Sequence, residues 1–435
     1  MPRYTLLRHG WVVQGDTAAP MEILIADERI AAVSRAIIPP DDTEVVDVSG
    51  LLVLPGLIDV HVHLREPGGE HKEDFTSGTR AALAGGVTTV LAMPNTDPPL
   101  TDRASLERAL ALAQAKAVCD FGLLVGATPE NAPLVAELPE AAGLKLYMGA
   151  STGNLLVADF AAQWAHFTTY PPDRVLAVHA EDEEAVRHFA RQGERRPPLC
   201  AALAVARALT LAEAARRRLH ICHLSTAQEL ALVQAAKARG LPVTCEVTPH
   251  HLFLSREDEA RLGPLGKMNP PLREREEVEA LWAGLEGVDC IATDHAPHTL
   301  EEKAQGMEAA PAGVPGLETM LPLLLTAFHR GRLTLETLIR LTSSGPARVY
   351  GLVRKGKLAP GYDADLTLVA LDERWQLRNE GLLTRCGWTP FAGWEVKGRV
   401  RRVYLRGRLA YADGEVLVEP GYGRRVETAA GGLAA

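Results

Sequence analysis

Short apolar and alternating runs crowd the first 54 residues. YTLLRHGWVV, EILIADERIAAVS, TEVVDVSG and LLVLPG are separated by Gly, Pro and Asp turns, a pattern that predicts short antiparallel strands. The same texture returns beyond about residue 350 in ADLTLVAL, VKGRVRRVYLRGRLAYADG and EVLVEPG. Isolated hairpins are only marginally stable in water. The two ends, 1–54 and 346–435, are therefore expected to pair into one small β-sandwich domain. The tail TAAGGLAA (428–435) has nothing to pack and is expected to fray.

Between these ends a short β-branched run followed by an Ala/Leu/Glu/Arg-rich stretch recurs eight times. The runs are 56–64, 87–95, 118–127, 143–149, 175–181, 220–225, 243–251 and 290–298. Helical stretches such as TSGTRAALAGG, SLERALALAQAKA, AALAVARALTLAEAARRR and TAQELALVQAAKARG separate them. Strand–helix alternation of this kind predicts an α/β fold, a (β/α)8 TIM barrel over residues 55–345. Its length suits a barrel, which commonly occupies about 250 residues as one unit.

Composition narrows the class. With 46 Lys and Arg against 55 Asp and Glu the net charge is −9, which argues against a nucleic-acid partner. LLVLPGLIDV and LETMLPLLLTAF fall short of the roughly 18 residues a membrane span needs, so no membrane is expected. The N-terminus lacks a long apolar segment ending in a small-residue cleavage site, which leaves the cytoplasm as the default location. Six cysteines without a CxxC pair read as reduced, mostly buried thiols.

The polar residues within the apolar runs carry the chemistry. His61, His63, Asn95, Lys145, His179, His223, Glu246 and Asp294 all fall at or near the C-terminal ends of their predicted strands. In a barrel those ends converge on one face, where active sites are built. His61 and His63 are two residues apart, so both imidazoles leave the same face of the pleat. An isolated H-x-H is readily a chance pair. Here His179, His223 and Asp294 end other strands, and imidazole with carboxylate suits zinc or a similar metal. Lys145 stands inside an apolar run, where an unpaired ammonium is costly. Either its head snorkels into solvent, or it is neutralised as a carbamate by carbon dioxide.

DVHVHLREPG, AMPNTDPP, GLKLYMG, HAED, HICHLST, TCEVTPHHL, KMNPPLR and ATDHAPHTLEEK together resemble the dihydroorotases of the amidohydrolase superfamily. The likeness spans about residues 55 to 345. The part from CEVTPHHLFL to PGLETMLPLLLTA is also similar to the dihydroorotase domain of the animal multifunctional pyrimidine-synthesis protein. The resemblance implies two zinc ions: His61 and His63 with Asp294 on the buried one, His179 and His223 on the exposed one, and carboxylated Lys145 bridging both. It implies a small-molecule reaction, reversible cyclisation of N-carbamoyl-L-aspartate to dihydroorotate in pyrimidine biosynthesis. A hydroxide between the metals would attack the ring carbonyl, with Asp294 as base and then acid.

Substrate choice would rest on the carboxylate of dihydroorotate. Arg65, expected on the strand face of His63, can grip it bidentately; otherwise it pairs with Glu66 or Glu70 on the surface. The resemblance adds Asn95 and His298 at the carboxylate, and Asn269 with the backbone of Ala312 and Gly313 at the ring. In the animal domain, positions equivalent to Cys222, Glu246 and His298 are associated with a further metal. The alternative is a small buried thiol, directed away from His223, with Glu246 partnering a ligand histidine. His250 and His251 read as a loop pair in support. His9, His71, His166, His188, His220 and His329 read as surface or packing residues.

Two other readings stay open. Hydantoinases, dihydropyrimidinases and allantoinases share fold, lysine and metals but open rings without the carboxylate, so Arg65, Asn95 and His298 discriminate against them. Dihydroorotase-like scaffolds of aspartate transcarbamoylase lose metal residues, whereas every position is present here. Association of an active enzyme with aspartate transcarbamoylase, and a homo-oligomer, are compatible with the sequence.

Overall fold

The structure is a computed structural model and describes residues 3–429. Five strands come from the N-terminal end: β1 (Tyr4–Gln14), β2 (Thr17–Ala26), β3 (Arg29–Ser34), β4 (Glu44–Asp47) and β5 (Leu52–Pro55). β1, β2 and β3 form an antiparallel meander, but β4 and β5 run parallel to β1, with Thr5 opposite Glu44 and Trp11 opposite Leu52. The expectation of antiparallel strands throughout fails there for a geometric reason. β3 runs in the direction of β1 and ends at Ser34, opposite Glu22; the connection 35–43 then crosses back to the start of β1, so the next strand enters in the same direction.

The barrel follows: β6 (Leu57–Val62), β7 (Val87–Ala92), β8 (Asp120–Gly126), β9 (Gly143–Tyr147), β10 (Leu176–His179), β11 (Leu219–Ile221), β12 (Val243–Val247) and β13 (Cys290–Ile291). These eight are parallel and adjacent in chain order. Val62 bridges to His295, and the His63 amide donates to the His295 carbonyl at 2.7 Å, which brings the first and last strands together. Every strand position is buried. That explains the near-continuous apolar runs.

Strand ends are shorter than the sequence pattern suggests. The run 243–251 stops at Val247 because Thr248 caps a helix, Pro249–Phe253, its hydroxyl accepting from the His251 amide. His250 and His251 are therefore helical rather than loop residues. The four helical stretches named above form as Phe75–Ala84, Arg103–Lys116, Pro198–Ala215 and Ala227–Ala238. Asp74 and Asp102 open the first two with capping boxes. Pro198–Ala215, unlike the two apolar runs named above, is long and apolar enough by length and composition to cross a membrane. Its Cys200, Ala204, Val205, Ala208 and Ala212 are buried against the protein.

β14 (Leu366–Gln376), β15 (Glu395–Leu405), β16 (Arg408–Ala412) and β17 (Glu415–Val416) complete the outer sheet. β14 pairs with β5, so both chain ends share one nine-stranded sheet. Its faces close on each other where Arg29 bridges Asp363 and the Ile30 amide donates to the Tyr362 carbonyl at 2.9 Å. Leu7, Ile23, Ile30, Val53, Leu366 and Tyr404 fill the space between. The expected fraying at 428–435 does not begin at 428: Thr428 bridges Leu352, and the Ala429 amide donates to the Gly351 carbonyl at 2.8 Å. Backbone pairing supplies what side-chain packing lacks. Residues 430–435 lie outside the described residues.

A buried ion cluster ties sheet to barrel. Asp120, at the start of β8, holds Lys355 at 2.6 Å and also pairs with Arg406. Lys355 in turn meets Asp363 at 3.0 Å and Asp365 at 2.7 Å. Removing one member of a buried set strands its partners' charges. Asp120→Ala is expected to lower the unfolding free energy by about 3–5 kcal/mol, read from denaturant unfolding. A loss below about 1 kcal/mol, the scale of a surface pair, would show that the cluster does not hold the two parts together.

Candidate metal centre and substrate cleft

β6 delivers His61 and His63. Beside them Asp59 is fully buried and accepts from the Thr293 hydroxyl at 2.5 Å and the His61 amide at 3.2 Å. It thereby pins β6 to the segment after β13. Burial pushes its carboxyl up to about 7, despite the hydrogen bonds from Thr293 that oppose the shift.

Each imidazole is aimed by its other nitrogen. His61 Nδ1 bonds the Glu246 carboxylate, leaving Nε2 3.3 Å from Asp294 Oδ1. His63 Nδ1 lies 2.6 Å from Asn95 Oδ1, leaving Nε2 3.0 Å from the same Asp294 oxygen. His61, His63 and Asp294 thus offer three donor atoms within 4.8 Å of one another. Across the mouth, His179 Nδ1 faces His223 Nε2 at 2.9 Å, and the His61 and His223 ring centroids are 5.3 Å apart. Lys145 is fully buried, with Nζ 2.9 Å from Cys222 Sγ and 3.5 Å from His61 Nε2. No carboxylate among the described residues pairs with it, so the ammonium does not snorkel to a partner or to solvent.

The electrostatics match a cation site. Burial and the neighbouring Lys145 oppose protonation of His61, but Glu246 and Asp294 outweigh them and raise it to about 10. Burial takes His63 down to about 4 against the pull of Asp294. Burial works against the charged form of Asp294 too, yet His61, His63 and His223 hold its carboxyl well below the usual range. Nitrogen donors oriented by a carboxylate and an amide, with an anionic oxygen between them, fit a borderline metal ion.

A small cleft opens above this cluster, lined by His63, Arg65, Asn95, Asn269, Asp294, Ala312 and Gly313 among others. It gathers all but His298 of the residues expected at the substrate. Arg65 is not on the strand, which ends at Val62; it sits in a left-handed turn at φ 62°. Nor does it pair with Glu66, which takes Lys116, or Glu70, which accepts from the Gly68 amide. Its guanidinium meets the Pro297 carbonyl and His298 Nε2, both at 3.1 Å. Although burial lowers its pKa to about 10, Arg65 remains a cation at neutral pH. His298 lies behind Arg65, its Nε2 also 3.1 Å from the Ala312 carbonyl; by tautomer it either accepts from the guanidinium or donates to that carbonyl.

Other expectations change. Cys222, Glu246 and His298 do not come together; His61 joins Cys222 and Glu246 instead. Cys222 and His223 both face the interior, because β11 ends at Ile221 and His223 adopts φ 35°, which breaks strand alternation. His220 is no bystander: it is fully buried, 3.0 Å from Glu246 Oε2. Its signal was a polar residue at an interior position of β11, beside Glu246 of β12. His295 and Glu73, 3.2 Å apart, were missed because they interact across 222 positions.

The model of the amidohydrolase family matches residues 52–410. Dihydroorotase of Pyrococcus furiosus is 39% identical over 91% of this chain and 90% of its own length. The chain belongs to the dihydroorotases of the amidohydrolase family. It is accordingly a hydrolase of the class that acts on cyclic amides. Multifunctional protein CAD of Squalus acanthias is 45% identical over 89% of the chain, which spans only 16% of that protein. Among solved structures, the L-hydantoinase (dihydropyrimidinase) of Arthrobacter aurescens superposes with a TM-score of 0.94 at 31% identity, covering 98% of this chain and 100% of that one.

A metal entering beside His61 must displace its proton, since with a pKa of about 10 the imidazole stays protonated at neutral pH. Zinc uptake between pH 7 and 9 is expected to release about one proton from this residue, and apparent affinity to fall as pH drops. Calorimetry in buffers of different ionisation enthalpy measures both. Glu246→Gln should shrink the release and weaken affinity about 10–100-fold; unchanged affinity would rule out Glu246 as the group that aims His61.

Proposed function

We propose that the protein is a zinc-dependent dihydroorotase that interconverts N-carbamoyl-L-aspartate and dihydroorotate in pyrimidine biosynthesis. One observation carries this choice of ring. Arg65 is 6% exposed, lines the cleft, and has no carboxylate partner among the described residues. A guanidinium held in that state is suited to a substrate carboxylate.

His61, His63 and Asp294 would hold one zinc and His179 and His223 the other, with Lys145, once carboxylated, between them. Lys145 is buried, lacks an anionic partner, and sits 3.5 Å from His61; carbamate formation would turn a costly buried cation into an anionic ligand. When bound, the two ions supply Lewis acidity and a hydroxide nucleophile near neutral pH. Asp294 would take the proton of the attacking water on a carboxylate oxygen and deliver it to the ring nitrogen as the C–N bond breaks. In the biosynthetic direction it would accept the proton of the carbamoyl nitrogen. Arg65 and Asn95, backed by His298, would fix the substrate carboxylate. Asn269 and the backbone of Ala312 and Gly313 would bind the ring.

The fold likeness to an L-hydantoinase supports a second reading, a cyclic amidase for neutral rings. A non-catalytic scaffold is less well supported, because the full donor set is present. The relatives within multifunctional proteins support physical association with other enzymes of the same synthesis.

The deciding measurement compares hydrolysis of dihydroorotate, hydantoin and dihydrouracil by the zinc-loaded protein. Arg65→Ala is expected to cost about 3 kcal/mol, roughly 100-fold in kcat/KM, for dihydroorotate and much less for the neutral rings. Asp294→Asn should lower kcat about 10²–10⁴-fold, and Lys145→Ala should abolish turnover even in bicarbonate. Preference for the neutral rings, unaffected by Arg65→Ala, would assign the protein to the second reading.

A further inference from the structure

Lys303 ends a short helix, Leu300–Lys303, and is 1% exposed. No carboxylate among the described residues pairs with it. Its Nζ donates to three main-chain carbonyls: Lys267 at 3.1 Å, Pro311 at 3.0 Å and Gly313 at 2.9 Å. Burial, with Lys267, Arg195 and Arg65 nearby, lowers its pKa to about 7, but three carbonyl acceptors match the ammonium form, which has three N–H donors where the neutral amine has two. Its charge also lies 5.8 Å from the centroid of the buried Trp388 ring, whose Nε1 donates to the His298 carbonyl at 2.7 Å. Burying an unpaired ammonium costs free energy that a methionine of similar length would not.

The three carbonyls belong to the two segments that form one side of the cleft. Asn269 follows Lys267 by two residues, and Ala312 stands between the two acceptors Pro311 and Gly313. The Gly313 amide donates to the Lys267 carbonyl at 2.9 Å, which closes the link between the segments. Gly313 itself takes φ 139°, and a Cβ there would meet the Ala296 carbonyl at 2.5 Å. Wrapped around Nζ, the Pro311–Gly313 segment has its remaining carbonyl, that of Ala312, turned to His298.

We propose that Lys303 is a positioning residue for substrate: its ammonium clamps the Lys267–Asn269 and Pro311–Gly313 segments together and so shapes the wall that receives the ring. The clamp rests on the dihydroorotase reading above. Lys303 does not reach the metal donors, so its loss weakens contacts made alike by bound substrate and transition state. Loss of such uniform binding raises KM and leaves kcat nearly unchanged.

The test uses zinc-loaded wild type, Lys303→Met, which keeps the stem and removes the donors, and Lys303→Arg, which keeps the charge but cannot place three donors about one point. KM and kcat for dihydroorotate, zinc content and Tm are measured for each. Both variants are expected to raise KM at least tenfold, with kcat changing less than threefold and zinc retained. A purely structural lysine would lower Tm and the active fraction without moving KM, and that result overturns the clamp. If Lys303→Met does not fold, the arginine variant decides alone. Absence of dihydroorotate turnover in the wild type sinks the dihydroorotase reading, and the clamp with it; turnover with unmoved KM in the variants sinks the clamp alone.

Discussion

A single buried carboxylate organises the centre. Glu246, on β12, has no exposure and accepts from His61 Nδ1, from His220 Nε2 at 3.0 Å and from the His223 amide at 3.2 Å. An anion taken out of water costs several kcal/mol unless its lone pairs are filled. Those partners therefore cannot turn away without leaving it exposed to that cost. Although burial favours its neutral form, His61 and His220 hold its carboxyl well below the usual range. With Nδ1 committed to Glu246, His61 can point only Nε2 toward Asp294. With its amide committed, the chain at His223 must turn inward. One group on β12 thus orients donors from β6 and β11, much as Asn95 on the loop after β7 orients His63.

The site also depends on where the backbone leaves the strands. Arg65, His223 and Asp294 have φ of 62°, 35° and 45°, a region that costs a side-chain-bearing residue roughly 1–3 kcal/mol. Three such residues within one mouth mark a structure that holds them there. The return is directional: a regular strand would send Cys222 and His223 to opposite faces, whereas the turn lets both face His61. Asp294 likewise escapes the pleat of β13 and reaches both His61 and His63. The packed barrel below supplies the rigidity, since its strands are buried on every side.

Much of this was legible in the sequence, and the limits are physical. The eight strands could be read because both of their faces are buried, which leaves near-continuous apolar runs with most of the chemically telling residues toward their C-terminal ends. That placement also located the His, Lys and Asp donors on one rim. Orientation could not be read. His220 and Glu246 look like isolated polar residues until β11 and β12 are placed side by side. The link of His295 to Glu73 spans 222 positions and has no local pattern at all. Arg65 was legible as a residue but not as a conformation, because period-2 spacing with His63 suggests a strand that stops at Val62. The parallel entry of β4 and β5 was hidden because direction is set by the connections that return the chain to β1, not by the residues within the strands.

Fold likeness and substrate choice then separate cleanly. The barrel superposes on an L-hydantoinase with a TM-score of 0.94, so the frame that presents the donors is not what distinguishes ring types. Discrimination must come from side chains that a neutral ring would leave unsatisfied. Arg65 has that property: it is buried, cationic at neutral pH, and among the described residues meets a carbonyl and an imidazole nitrogen but no carboxylate, so a ligand without an anion leaves its charge uncompensated. An unmet buried charge penalises the wrong ligand more than one more apolar contact rewards the right one. Two neighbouring lysines are already engaged. Lys72 meets Glu302 at 2.8 Å and Lys303 is spent on three carbonyls. Of the three, Arg65 alone lines the cleft, so its charge is the one that a bound anion can meet.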